Sequence, residues 1–336
     1  MQYLQYKDNI LPGVSTFLIS LLVTLVLWYD IFLPDFTVSG GATIVGDSPL
    51  AHLLNDYLPF DSLWGRVIAL LCLIITAFCI TGLNDTFGFI SVRTVLPGLV
   101  FIVIVSLLMR PHVFSTAWIT TLCTVLFVNS TFKLVEGNPE KFILRAFDAG
   151  LVLSLSTLFA MHTAILAIPF FVLQYRCNTL NLKLFFAFLT GWVLPYFYCI
   201  LITLGIGDIE PWTNYWREWF HFDGTPITAN GLDNIIYMGI ICLLFIFAFQ
   251  HFLHTRSSQN IRSREEVVFL ISCFFTTIVI MLMNLSEAHI ILPTCIFFVS
   301  FIIGQYFTLE WSRLSKILLI IFALSSILFF VQPNFV

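Results

Sequence analysis

Runs of apolar residues long enough to cross a bilayer, about 17–25 residues each, recur from one end of this 336-residue chain to the other. A water-soluble core cannot absorb so many, so lipid must be part of the solvent in which the chain folds. In hydrocarbon every backbone N–H and C=O has to be paired inside the protein, which leaves helical bundles and closed barrels. Barrel strands read as short segments of alternating polarity, and that pattern is absent. The sequence therefore predicts an all-α, polytopic integral membrane protein forming one membrane domain over residues 1–336. Composition agrees: 59% of residues are hydrophobic, 10% are charged, and 37 are phenylalanine. Cys72, Cys79, Cys123, Cys177, Cys199, Cys242, Cys273 and Cys295 lie in or beside apolar runs without a CxxC pair. They read as small buried hydrophobes, not as disulfides or a metal site.

About eleven crossings are expected, at 12–33, 64–82, 94–109, 114–131, 147–160, 162–175, 184–206, 233–253, 267–286, 289–308 and 315–332. The first apolar run lacks a small-residue cleavage site and reads as an uncleaved anchor. The count turns on FDAGLVLSLSTLFAMHTAILAIPFFVLQYR, residues 147–176. Asp148 to Ala160 and Thr163 to Tyr175 would each give roughly 20 Å of helix at 1.5 Å per residue, short of a hydrocarbon core of about 30 Å. Two short helices meeting at a buried Met161-His162 tip, a broken hairpin over 147–175, fit better than one crossing, because of where the cations then fall. With the N-terminus in the cytoplasm, Lys7, Arg93, Lys133, Lys141, Arg145, Arg176, Lys183, Arg256, Arg262, Arg264, Arg313 and Lys316 lie inside. Only Arg66, Arg110 and Arg217 lie outside. Twelve against three follows the positive-inside rule; a single crossing would move Lys133, Lys141 and Arg145 outside. Asp148, read as opening a helix, is expected to cap it.

Two outer loops are long enough to carry chemistry, 35–63 and the aromatic-rich 207–233, whose centre reads IEPWTNYWREWFHFDG and suits the headgroup region. Five histidines fall on the outer side, and His112, His162 and His289 lie at short tips where nothing requires them. Ionisable groups at the membrane boundary are functional candidates. Asp35, just past the first crossing, is the foremost candidate for a general base toward an acceptor hydroxyl, with Asp56 and Asp61 next. A phosphate would be held by arginine, a planar two-pronged donor. Arg66, Arg110 and Arg217, with His112, His162 and His289, make up the expected substrate-binding set. The plain alternatives are wet polar loops and arginines snorkelling to the interface. No cofactor is implied; a divalent metal stays open, although no HxxxH-type spacing supports one.

The 147–176 segment resembles the hallmark region of the GT-C superfamily of membrane glycosyltransferases. In that region a glycine-bearing short helix, a polar break and a second short helix ending in basic residues precede a helix ending near proline. The resemblance covers roughly residues 10–206 and is one of pattern. Together with IILPTCIFFVSFIIGQYF at 290–307, the same segment is similar to a small family of inner-membrane proteins from Bacteroidota. The superfamily resemblance implies transfer of a sugar from a polyprenyl-phosphate-linked donor at the periplasmic face of a bacterial inner membrane. It places the usual catalytic acid in the first outer loop, at Asp35. Two features depart from the pattern: no acidic pair follows the first crossing, and Met161-His162 replaces the lysine usual at the break. The expected partners are membrane lipids, a polyprenyl-phosphate-linked glycan and a membrane protein, with no nucleic acid. The rival is a non-catalytic membrane subunit or scaffold of a glycan-assembly, secretion or transport complex. A secondary transporter would need mid-membrane charges and an inverted repeat; the crossings carry almost no charge and no repeat is found.

Overall fold

The apolar runs fold as helices because no other open arrangement pairs their backbone groups in lipid. The structure is a computed structural model that describes residues 13–29, 50–51, 62–87, 94–109, 112, 114–136, 141–206, 212, 215, 232–255, 261–283, 288–309 and 312–331. These residues form α1 (Gly13–Leu27), α2 (Leu63–Phe87), α3 (Leu96–Leu108), α4 (Thr116–Glu136) and α5 (Phe142–Phe159). A 3₁₀ segment (Met161–Leu166) and α6 (Ala167–Arg176) follow. Then come α7 (Leu182–Ile206), α8 (Leu232–Thr255), α9 (Ile261–Met283), α10 (Ala288–Leu309) and α11 (Arg313–Val331). No strand occurs among the described residues. Eight helices, α2, α4, α5 and α7 to α11, are long and apolar enough to cross a membrane; α3 and the described part of α1 are shorter apolar helices.

α10 is the axis of the bundle. Some 89% of its span is buried, against 22% for α7 and for α11, and it packs on α3, α4, α8 and α9. Gly304 sets its approach to α3: a Cβ there would lie 2.8 Å from the backbone of Pro97. Phenylalanine fills the interior, with Phe127, Phe132, Phe170, Phe188, Phe297 and Phe298 fully enclosed. The exposed residues of α7, α8 and α11 are instead large and apolar, as a lipid-facing surface requires.

The chain breaks at Ala160, which is extended (φ −144°, ψ 95°). The carbonyls freed there are recaptured inside the protein. Thr163 donates to Ala160 O through both its backbone N–H at 3.0 Å and its hydroxyl at 2.7 Å. The six residues of 3₁₀ helix and ten of α6 cover about 27 Å at rises of about 2.0 and 1.5 Å per residue. This leg runs back toward the start of α5. Phe170 stacks on Phe188 and Phe171 meets Phe185, so α6 and α7 are antiparallel. Consequently α5 and α7 point the same way: residues 147–151 face 188–192, and Thr157 meets Tyr196. They cross with backbones touching. A Cβ on Gly150 would run into the Phe188 carbonyl, and one on Gly191 into the Phe147 carbonyl, the small-residue contact typical of helices packed in lipid.

One expectation is corrected. α5 starts at Phe142 with Lys141 before it, so Asp148 lies in the second turn and is no helix cap. Its side chain is exposed.

The tight turn after α6 is locally encoded. Asn178 adopts φ 55°, a left-handed conformation that asparagine tolerates, and Thr179 and Leu180 return their N–H groups to the Gln174 carbonyl. Asn181 then caps α7 by accepting from Leu184 N–H at 2.7 Å. Arg176 grips Glu265 on α9 with two prongs, at 2.9 and 2.5 Å, and so fastens the return leg.

Candidate functional site

The bundle has two chemically different ends. At one end, Lys133, Lys141, Arg145, Arg176, Lys183, Arg264, Arg313 and Lys316 lie near helix termini; Arg145 also donates to the Lys133 carbonyl. Arg66 is the one cation among the described residues at the opposite end. That opposite end gathers the finish of α1 and α3, the start of α4 and α10, and the Ala160 break. Met109, Ala117, Ala160 and Ile290 form one apolar cluster there, and the histidines at 112, 162 and 289 flank it in sequence. The first is therefore called the basic end and the second the histidine end.

At the histidine end the described polar groups are mostly spent on one another. His112 is 2% exposed. Its ring stacks on Trp28 at 4.3 Å, and its Nε2 lies 2.8 Å from Ser106 O. The Trp28 indole N–H donates to Ser106 Oγ at 2.9 Å, and Trp118 closes the group edge-on at 5.4 Å. His112 is thus a strut between α1 and α3. His162, 7% exposed, sits in the 3₁₀ segment directly after the break. His289 is half-buried at the start of α10, and Arg66 is half-buried in the first turn of α2. Asp35, Asp56, Asp61, Arg110 and Arg217 fall outside the described residues.

Two polar features escaped the sequence reading. The first is a hydroxyl seam on α4. Thr116, Thr120 and Thr124 recur every four residues on one buried face, a spacing visible in the sequence. Thr120 and Thr124 donate one turn back along the helix. Thr121 reaches Thr294 on α10 at 3.2 Å. The hydroxyls of Thr116 and, across on α5, Ser154 are buried with no hydrogen-bond partner among the described residues.

The second is a clasp between the 207–233 loop and the broken helix. Tyr215 donates to the Thr157 carbonyl at 2.8 Å, one of the last carbonyls of α5, which have no partner further along the helix. Its hydroxyl also meets that of Tyr196 at 2.9 Å, and Tyr196 donates to Thr157 Oγ1 at 2.8 Å. Trp212 adds an N–H bond to Thr203 at 2.8 Å. Trp212, Tyr215, Leu158, Met161 and Cys199 make a separate apolar cluster. Trp212 and Tyr215 are seated on the break itself. Nothing local in the sequence pairs residue 215 with 157.

Chemically, this end offers hydroxyls, indoles and imidazoles, which suit hydrogen bonding to oxygen-rich groups. A carboxylate base at this end would come from the acids of the outer loops, Asp35, Asp56 and Asp61 among them. Among the described residues no three His, Cys, Asp or Glu side chains gather as metal ligands, and all eight cysteines are free. In comparisons with known proteins, no family model, no curated protein and no solved structure matches this chain.

Proposed function

We propose that this protein is a GT-C-like glycosyltransferase acting on a polyprenyl-phosphate-linked sugar or glycan. It has about eleven membrane segments, counting the return leg, and sits in a bacterial inner membrane. The basic end lies in the cytoplasm with the N-terminus, and the histidine end faces the periplasm, as the positive-inside rule orients it. Asp35 acts as general base, with Asp56 and Asp61 in reserve. Arg66, Arg110 and Arg217 meet the lipid phosphate, and His162 and His289 line the approach. Neutralising the departing phosphate there would lower the barrier to transfer.

The support is the position of the break at Ala160. A buried interruption between two parallel helices lies at the end rich in hydroxyls and histidines, opposite the end rich in cations. The test is transfer from a radiolabelled polyprenyl-phosphate sugar in membranes carrying Asp35→Asn. Lost transfer with unchanged protein yield is the expected result; full transfer would remove Asp35 from its role. For orientation, a membrane-impermeant thiol reagent should label a cysteine placed at His221 from the periplasmic side.

A second reading, a non-catalytic subunit of a glycan-assembly, secretion or transport complex, is favoured by the closed packing of His112 on Trp28 and of Tyr215 on Thr157. It predicts stoichiometric co-purification with a membrane protein and an unaltered lipid-linked glycan pool when the chain is deleted.

A further inference from the structure

α1 and α2 both lie against α3 without closing on each other, and a cavity of about 260 Å³ stays open between them. Gly98 and Ile102 of α3 form its floor, with Leu21 on one wall and Ala77 and Phe78 on the other. Ser20, Thr81 and Asp85 mark its boundary toward the basic end. The rims carry exposed apolar side chains, Leu18 and Leu22 on α1, Leu71 and Ile75 on α2. The slot therefore opens sideways into whatever bathes those residues, which in a membrane is hydrocarbon. Two of its three hydroxyls, those of Thr24 and Thr81, already donate to the carbonyls of Ser20 and Ala77.

Size and polarity narrow the occupant. Small-molecule sites usually measure about 300–1,000 Å³; this slot falls below that range and suits part of one hydrocarbon chain, not a headgroup. Its polar boundary lies at the level of the clustered lysines and arginines, where the phosphates of the adjoining leaflet meet basic side chains. We infer that the α1–α2 slot binds one acyl chain of a phospholipid, entered sideways from the leaflet on the basic side. The site lies apart from the histidine end and does not depend on sugar transfer there.

The full-length protein in lipid nanodiscs would be irradiated with a phosphatidylethanolamine carrying a diazirine in one acyl chain, and the adducts mapped by mass spectrometry. The expected pattern is several-fold enrichment at Leu21, Ala77 and Ile102 over Leu22 and Leu71, which face bulk lipid. Leu21→Trp, which fills the slot, should abolish that enrichment, whereas Leu22→Trp should leave it intact. Equal labelling of slot and rim in the unmodified protein would overturn the proposal, since the lipid would then be merely annular. Stronger slot labelling by a diazirine-bearing polyprenyl phosphate would overturn the phospholipid assignment. Absence of label from the slot with both probes, as when the chain's own residues fill it, would overturn the site altogether.

Discussion

Two glycine contacts show how differently one residue type can shape a bundle. Where α5 crosses α7, glycine stands on both helices, Gly150 opposite Gly191, and each leaves room for the other helix's carbonyl. The result is a backbone-to-backbone seam that fixes two parallel helices around a short return leg. Where α2 meets α3, glycine stands on α3 alone. A Cβ on Gly98 would come within 2.7 Å of Thr81 Oγ1 and 2.8 Å of the Ala77 carbonyl. α2 is drawn close to α3, but α1 lines the space between with Ser20, Leu21 and Thr24 instead of glycine, and a slot remains. Reciprocal glycines weld; a one-sided glycine leaves a gap for lipid.

The comparison can be broken most directly at the weld. Gly191→Ala should destabilise the protein by about 1–3 kcal/mol, the range for overpacking a filled interior, read as a lower melting temperature in a fixed detergent. Gly150→Ala should match it, and the double variant should cost less than the sum, because both Cβ atoms push apart one crossing. Next comes Gly98→Ala, at about 1 kcal/mol, the low end of the overpacking range, since α2 can yield toward the slot. If Gly98→Ala proved as costly as Gly191→Ala, the contrast between weld and gap would fall.

Smaller effects belong to single hydrogen bonds. Ser106→Ala strands the Trp28 N–H, and buried hydrogen bonds in membrane proteins average about 0.6 kcal/mol with a ceiling near 1.7, so a melting shift of that size is expected. Tyr215→Phe should cost about as much but show a distinct signature, faster protease cleavage within 207–233, because the loop loses its hold on Thr157. The smallest change is expected for Arg176→Ala. An exposed ion pair is worth at most about 1 kcal/mol, and the difference from the unmodified protein should shrink as salt is raised.

How much of this could be read from residues follows from what constrains each part. Membrane helices were legible because bilayer thickness sets their length, and length arithmetic together with the placement of the cations put a break one residue from Ala160. The ends were less legible. Charge at Lys141 and Arg145 suggested a loop, yet the helix begins directly after Lys141, at Phe142, and runs through Arg145. The residues from Leu83 to Thr86 also lay beyond the expected crossing at 64–82. They stay helical because the Thr81 and Thr86 hydroxyls bond back to the carbonyls of Ala77 and Gly82, which lets a helix keep polar residues in its last turns. The site was least legible. Trp28, Ser106 and His112, or Thr157, Tyr196 and Tyr215, meet only through packing of distant helices, and no local spacing announces them. The acids Asp35, Asp56 and Asp61 remain sequence expectations.

The fastening of the return leg bears on how the chain is made. Emerging from the ribosome, the 3₁₀ segment and α6 find α4 and α5 already made, with Phe127 there to meet Phe170, but they precede their other holds. α7, with the other half of the glycine weld, must still be synthesised, and the carboxylate that grips Arg176 lies 89 residues further on. The packing of the leg stays incomplete until α9, which lies against both the 3₁₀ segment and α6, arrives. Nascent chains arrested before residue 265 should accordingly leave it exposed to the insertion machinery, whereas longer ones should release it. The packing of this leg is completed late, by a partner delivered from the second half of the protein.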